Sequence, residues 1–193
     1  MVRTIKEILA DRLLLLWLIY DAMERRRFGE TKIQKLAFLS EWEMLDNLEK
    51  GFNYDFIKLS FGPYSEDVEK DVAWLEENRL VDAIPIDEKV RIFRDTRFGK
   101  KILNDFHKMF VRNNVFTQKI AGINRKFAGK PLQELLDYVH GLPHPYIKDR
   151  IIAELKLGTP LLYKLDESKA EEKFDITPEE LATLDIYLDD ANY

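Results

Sequence analysis

Cysteine is absent from the 193 residues of this chain. The absence excludes disulfide scaffolds, thiolate catalysis, cysteine-ligated zinc and iron–sulfur clusters, and it fits a reducing cytoplasm. Glycine and proline are also scarce, with 8 and 7 residues, while 46% of the chain is hydrophobic. This composition excludes collagen-like and disordered chains and predicts one well-packed core.

Long hydrophobic runs are missing as well. The longest run, Leu13 to Tyr20, is far shorter than the roughly 20 residues that span a bilayer. Glu7 and Asp11 interrupt any signal-peptide pattern at the start of the chain. We therefore expect a cytoplasmic protein with no membrane association.

Motifs for nucleotide or hydrolase chemistry are not found. The sequence has no phosphate loop, no dinucleotide-binding turn and no serine elbow. Its histidines are His107, His140 and His144, and only Asp137 or Asp149 could complete a zinc site with the last two. We expect no catalytic residues, no metal and no cofactor; the alternative is an enzyme with an unrecognised carboxylate or histidine site.

Charge is distributed unevenly along the chain. Residues 166–193 contain ten acids and two bases, a net charge of −8, whereas residues 89–130 contain twelve bases and two acids, a net of +10. Such asymmetry indicates either an interaction surface or a solvated face that pairs with acidic helices. We expect the acidic tail either to fold back over the basic segment or to mask it dynamically.

Hydrophobic periodicity predicts the elements and their order. The predicted helices span about 3–27, 31–48, 65–78, 96–112, 131–139, 146–157 and 177 onward, with a strand at 52–59 and a hairpin formed by 80–86 and 89–94. The chain from 113 to 130 is expected to be less regular. Thr31 to Gln34 predicts a capping box for the second helix, and Ser65 predicts a side-chain cap for the third.

This order predicts a mainly α fold with a small β-hairpin, in the α+β class. It is typical of a winged helix. The expected domains are a winged-helix-like domain at 1–112, a helical accessory segment at 113–165 packed on it, and an acidic tail at 166–193 with a terminal helix.

The charge of the third predicted helix argues against major-groove binding. Residues 65–79 carry a net charge of −4, which opposes contact with phosphates. The wing and the following helix are basic instead and could follow the phosphate backbone. The candidate nucleic-acid contacts are Lys89, Arg91, Arg94, Arg97, Lys100 and Lys101. The alternative is that this winged helix contacts protein.

Three segments carry a family resemblance: Thr-Lys-Ile-Gln-Lys-Leu-Ala-Phe-Leu at 31–39, Phe-Gly-Pro-Tyr-Ser at 61–65, and Pro-Leu-Gln-Glu-Leu-Leu-Asp-Tyr-Val at 131–139. Over about residues 28–152 the chain resembles the SocA-like (Panacea) antitoxin-associated domain and the related YwgA-like family. The family's usual Tyr-Val-Tyr segment is Tyr138, Val139 and His140 here. The resemblance implies a non-enzymatic role in toxin neutralisation or regulation, exerted through a protein partner.

The segment at 61–65 also supplies the candidate partner contacts, Gly62, Pro63 and Tyr64. Tyr64 is either an exposed anchor for a partner or a hydrophobic staple of the following helix, and we favour the staple. The sequence thus predicts a non-catalytic binding module of antitoxin or regulatory type, with a toxin as one candidate partner. The alternative is a winged-helix DNA-binding transcriptional regulator. Association into a homodimer is a further option.

Overall fold

The computed structural model of the protein describes residues 2–24, 28–86 and 91–190. The helices are α1 (Ile5–Met23), α2 (Glu30–Leu45), α3 (Glu66–Glu77), α4 (Arg97–Asp105), α5 (His107–Arg112), α6 (Asn114–Phe127), α7 (Leu132–His140) and α8 (Pro178–Asp190). The strands are β1 (Glu49–Lys50), β2 (Phe56–Leu59), β3 (Gly62–Tyr64), β4 (Val81–Pro85), β5 (Arg91–Asp95), β6 (Pro160–Leu162) and β7 (Glu172–Lys173). Short 3₁₀ helices lie at Ile152–Glu154 and Glu167–Lys169. The predicted class, mainly α with small β elements, is confirmed.

Helix α1 lies at the centre of the fold, as its apolar sequence predicts. Leu14, Leu15, Leu16, Leu18 and Ile19 have no exposed surface. Helices α2, α3 and α6 pack around α1. Full burial on all sides of its middle turns explains why that stretch lacks an amphipathic pattern.

A buried polar network fixes the start of α1 against α3. Arg3 donates from Nη1 to Asp11 at 2.8 Å and to Asp71 at 2.6 Å. Arg12 donates to the other oxygen of Asp71 at 3.0 Å, and the Tyr54 hydroxyl donates to Asp71 at 3.1 Å. Because Asp11 and Asp71 are buried, they depend on the arginines for charge compensation.

The strands form three small sheets. β2 pairs antiparallel with both β3 and β6. β4 and β5 form the predicted hairpin, paired from Val81 with Asp95 to Pro85 with Arg91. The backbone N–H of Phe93 on β5 donates to the carbonyl of Phe28 at 3.1 Å, which ties the hairpin to the start of α2. The turn of the hairpin, including Lys89, lies outside the described residues.

The expectation of irregular chain at 113–130 is wrong, because α6 occupies most of it. Its buried side chains include Phe116, Ile120, Asn124 and Phe127, at helical spacing. Asn124 weakens the apolar pattern in the sequence, but its side chain donates to the carbonyl of Leu18 at 3.0 Å. The helix expected at 96–112 is also two helices, α4 and α5, separated at Phe106.

A helix at 146–157 is likewise not found; the structure has a bent chain with one 3₁₀ turn. His144 Nδ1 accepts hydrogen bonds from the backbone N–H groups of Tyr146 and Ile147, at 3.0 and 2.8 Å. Asp149 has a positive φ of 59°, and the N–H of Ile152 donates to the carbonyl of Leu142. The N–H of Ile152 therefore bonds outside the segment and not to the carbonyl four residues earlier, as it would in an α-helix.

The acidic tail folds onto the body of the protein. β7 pairs parallel with β1, and Phe174, Ile176 and Leu184 are buried in the core. Glu180 binds Arg112 at 2.6 Å, which is one member of the basic segment. Among the described side chains, Arg112 is the residue of the basic segment that forms ion pairs with the tail, so the tail does not fold back over the whole segment. Dynamic masking stays a prediction. The core runs continuously from Leu9 to Leu184, and the division at residues 112 and 165 stays a prediction.

A search of the described residues for a membrane-spanning helix found none that is long and apolar enough.

Candidate functional site

The basic residues proposed to contact DNA are largely compensated by nearby acids. Arg91 lies 2.8 Å from Glu76 and 3.6 Å from Glu30. The remaining pairs are Arg94 with Asp82, Lys100 with Asp95, and Lys101 with Asp105. Of the five candidates in the described part of the chain, only Arg97 has no ion-pair partner there. The geometry leaves little net positive charge on this face, which weakens phosphate binding.

The segments at 31–39 and 61–65 meet in the structure. The side-chain amide of Gln34, on α2, forms two hydrogen bonds with the backbone of Ser65: its Nε2 donates to the carbonyl at 3.0 Å, and its Oε1 accepts from the N–H at 2.9 Å. Lys35 donates from Nζ to the carbonyl of Pro63 at 2.8 Å. Residues 61–65, which we name the Gly-Pro segment, are thus held by two consecutive side chains of α2.

These contacts correct both predicted caps. Helix α2 begins at Glu30 with Gly29 at its N-cap and has no side-chain cap bond, because Gln34 points inward to Ser65 and not back to Thr31. Ser65 does occupy the N-cap position of α3, but its buried hydroxyl has no hydrogen-bond partner among the described residues. Gln34 fixes the position of Ser65 instead.

Lys32 connects α2 to the end of α6. Its Nζ donates to the carbonyls of Ala128 and Lys130 at 3.0 and 2.5 Å. Exposed carbonyls at a helix C-terminus carry partial negative charge, so an ammonium group there is favourable. Two lysines of α2 therefore position the two sides of one surface: Lys35 holds the Gly-Pro segment, and Lys32 holds the connection from α6 to α7.

Between these sides lies a groove of about 490 Å³, which we name the α2 groove. Its basic lining residues are Lys32, Lys35, Arg91 and Lys130. Its apolar lining residues include Phe28, Leu59, Phe61 and Leu132. The lining also contains Gly62, Tyr64 and one acidic residue, Glu30. An apolar surface with a few fixed polar groups is suited to binding.

The predicted partner contacts occupy different positions in this groove. Gly62 and Tyr64 line it, whereas Pro63 is buried and does not. Phe61, which was not among the predicted partner contacts, also lines the groove, with 67% of its surface exposed. An aromatic residue immediately before a glycine at a hairpin turn is the signal that could have identified it.

Tyr64 has features of both an anchor for a partner and a hydrophobic staple of α3. Its ring is half-buried, and its hydroxyl donates to the carboxylate of Glu69 on α3. This hydrogen bond, followed by desolvation, raises the pKa of Tyr64 to about 12. The hydroxyl therefore stays protonated at neutral pH and fixes the ring beside α3, while the ring still forms part of the groove.

The histidines do not form a metal site. His144 is buried, and its Nε2 lies 2.8 Å from the carbonyl of Pro160, whereas His140 packs against Gly62. Within residues 2–24, 28–86 and 91–190, no group of three histidine or acidic side chains is arranged to hold a metal ion.

Glu41 is a buried carboxyl outside the groove, on α2, with 1% of its surface exposed. Burial, together with the charges of Asp11 and Asp55, raises the pKa of Glu41 well above its usual value. The backbone of Tyr54 and the charge of Lys50 oppose this only in part. The neutral carboxyl is therefore the form that the fold favours.

Comparisons of the chain with protein-family models, with curated proteins and with solved structures gave no match.

Proposed function

We propose that this protein is a non-catalytic, cytoplasmic binding module of antitoxin or regulatory type, which binds a protein partner through the α2 groove. The observation that carries the proposal is Phe61, a largely exposed aromatic on a segment that two side chains of α2 hold in place. A pre-positioned aromatic anchor loses little conformational entropy on binding. Phe61 thus has the properties of an interface hot spot.

The groove supports a protein ligand better than a nucleic acid. Apolar side chains account for much of its lining, and aromatic and arginine residues are typical of protein interfaces. The hairpin and α4, by contrast, present bases that are mostly paired with neighbouring acids. For DNA binding, these ion pairs would have to break before the basic side chains could contact phosphates.

The proposal is tested by co-expressing the chain with the products of adjacent genes, since antitoxins are commonly encoded beside their toxins. For a complex obtained in this way, Phe61→Ala should weaken affinity by about 2 kcal/mol, roughly thirtyfold. Val111→Ala is the matched control, because Val111 is an exposed apolar residue on α5, outside the groove. Equal affinity of Phe61→Ala and wild type would reject the groove as the binding surface.

A further inference from the structure

Three basic side chains converge behind the Gly-Pro segment. Lys35 reaches the carbonyl of Pro63 from α2, and Lys58 on β2 is the cross-strand partner of Pro63. His140, at the end of α7, faces Gly62 from the other side: a Cβ atom on residue 62 would lie 3.1 Å from His140 Nε2. We name these three residues the basic cluster.

The side chains of the basic cluster have unused hydrogen-bond donors. Lys35 and Lys58 are only 3% and 6% exposed. Within the described chain, each ammonium donates to a single acceptor, the carbonyl of Pro63 for Lys35 and that of Leu59 for Lys58. Each ammonium has three N–H donors, so two remain on each lysine. His140 Nε2 is buried and has no hydrogen-bond partner among the described residues.

Carboxylates do not compensate these charges. Neither lysine has an ion-pair partner in the part of the chain that the structure describes. Desolvation and then the charge of Lys58 lower the pKa of Lys35 to about 8. Desolvation, followed by Lys58 and Lys35, also lowers the pKa of His140, while Asp137 on the same helix acts in the opposite direction. The cluster is thus a buried region of positive potential.

One member of the basic cluster, Lys35, can be reached from the α2 groove. Lys35 and Gly62 both line the groove, together with Leu59, the neighbour of Lys58. An anionic group that enters the groove would meet Lys35 first and would have the other two basic side chains directly behind the Gly-Pro segment. A bound anion strongly stabilises buried cations that have unused donors, because a charge-assisted hydrogen bond compensates the charge and gives the donor a partner.

We infer that Lys35 binds an oxyanion, a carboxylate or a phosphate, that enters the α2 groove, and that the positive charges of Lys58 and His140 behind the Gly-Pro segment strengthen this binding. Lys35 supplies two free N–H donors and one positive charge, and Lys58 adds a second positive charge. His140 adds a further charge when it is protonated, so anion binding and protonation of His140 are coupled.

The test is an NMR titration of the full chain, followed through the histidine ring signals near the ordinary histidine pKa of about 6.5. Inorganic phosphate and acetate are added in separate experiments, with ionic strength held constant by chloride. We expect a saturable shift of the His140 signals and an increase of the His140 pKa by about 1 unit, because a bound anion stabilises the imidazolium. His107 and His144 lie outside the cluster and serve as internal controls.

Lys35→Gln and Lys58→Gln each remove one charge of the cluster, and Lys35→Gln retains an N–H donor for Pro63. Either variant should reduce the anion affinity at least tenfold, whereas Lys70→Gln, an exposed residue on α3, should leave it unchanged. Stronger binding of acetate would identify a carboxylate site, and stronger binding of phosphate a phosphoryl site. If neither anion produces a saturable shift of His140 in wild type, the inference is wrong. The titration needs no protein partner, so its outcome is separate from that of the proposed function.

Discussion

Replacing Gln34 with alanine tests whether α2 holds the Gly-Pro segment. The substitution removes both hydrogen bonds to the buried backbone of Ser65. The N–H of Ser65 is left without a partner, which costs about 1–3 kcal/mol for a buried group. The carbonyl of Ser65 still accepts a helical hydrogen bond from the N–H of Glu69 at 3.3 Å. Loss of its second hydrogen bond, from Gln34, therefore costs nearer 1 kcal/mol. We therefore expect Gln34→Ala to lower the free energy of unfolding by about 3 kcal/mol.

Urea unfolding followed by circular dichroism measures this difference directly. Gln133→Ala is the matched control, because Gln133 is exposed on α7 and bonds only to Asp137 among the described residues; it should change stability by less than about 0.5 kcal/mol. A loss below 0.5 kcal/mol for Gln34→Ala as well would refute the argument that this side chain fixes the segment.

Gln34→Glu sharpens the same test. The glutamate can still accept from the N–H of Ser65, but when ionised it places its other oxygen against the Ser65 carbonyl. At neutral pH we expect it to be at least as destabilising as alanine. Burial raises the pKa of such a carboxyl, so its destabilisation should diminish as pH falls and the protonated group donates to the carbonyl. A pH-independent difference from wild type would contradict this geometry.

Three further substitutions follow from the structure. Gly62→Ala should cost more stability than Gly158→Ala in urea unfolding. Both glycines have a positive φ, at 86° and 82°, a conformation that costs an alanine about 1–2 kcal/mol. Among the described residues, only a Cβ at residue 62 would also contact neighbouring atoms. Equal losses would contradict the close packing there. Burial raises the pKa of Glu41 well above 4.5, so the stability that depends on its neutral form is full below that ordinary pKa and is lost as pH rises through the raised folded-state pKa. The stability of Glu41→Gln relative to wild type should therefore increase with pH, and parallel pH profiles would exclude the effect. Arg3→Met removes the cation that bridges the buried carboxylates of Asp11 and Asp71, and it should lower the free energy of unfolding by about 3–5 kcal/mol. A change below about 1 kcal/mol in urea unfolding would show that the fold does not need this network.

The elements predicted correctly are those whose signals are local. Helix α1 follows from an apolar run, and the hairpin follows from two β-rich stretches. Helix α8 begins where it was predicted, and the structure contains a capping box between Thr177 and Glu180. α6 was missed because polar Asn124 lies on its buried face, where it contacts α1. Sequence periodicity treats such a residue as solvent-exposed, although tertiary contacts satisfy it.

The candidate site was only partly accessible to sequence reasoning. The Gly-Pro segment was identified from turn chemistry, but its attachment to Gln34 and Lys35 is a long-range contact that local capping rules cannot supply. The same holds for the basic candidates: the sequence shows their charge, whereas only the fold shows that Glu76 and Asp82 neutralise Arg91 and Arg94. The bent chain at 146–157 likewise depends on a contact that periodicity does not detect, the bond from the N–H of Ile152 to the carbonyl of Leu142.

The most direct test of the account is site-specific photo-crosslinking from position 61. A photoreactive phenylalanine analogue replaces Phe61 in one variant, the exposed Tyr163 outside the groove in a second, and Arg94 on the hairpin in a third. The account predicts one defined protein adduct from position 61 alone, identified by mass spectrometry and then reconstituted as a complex of the two purified proteins. A nucleic-acid adduct from position 94, with no protein adduct from position 61, would contradict it.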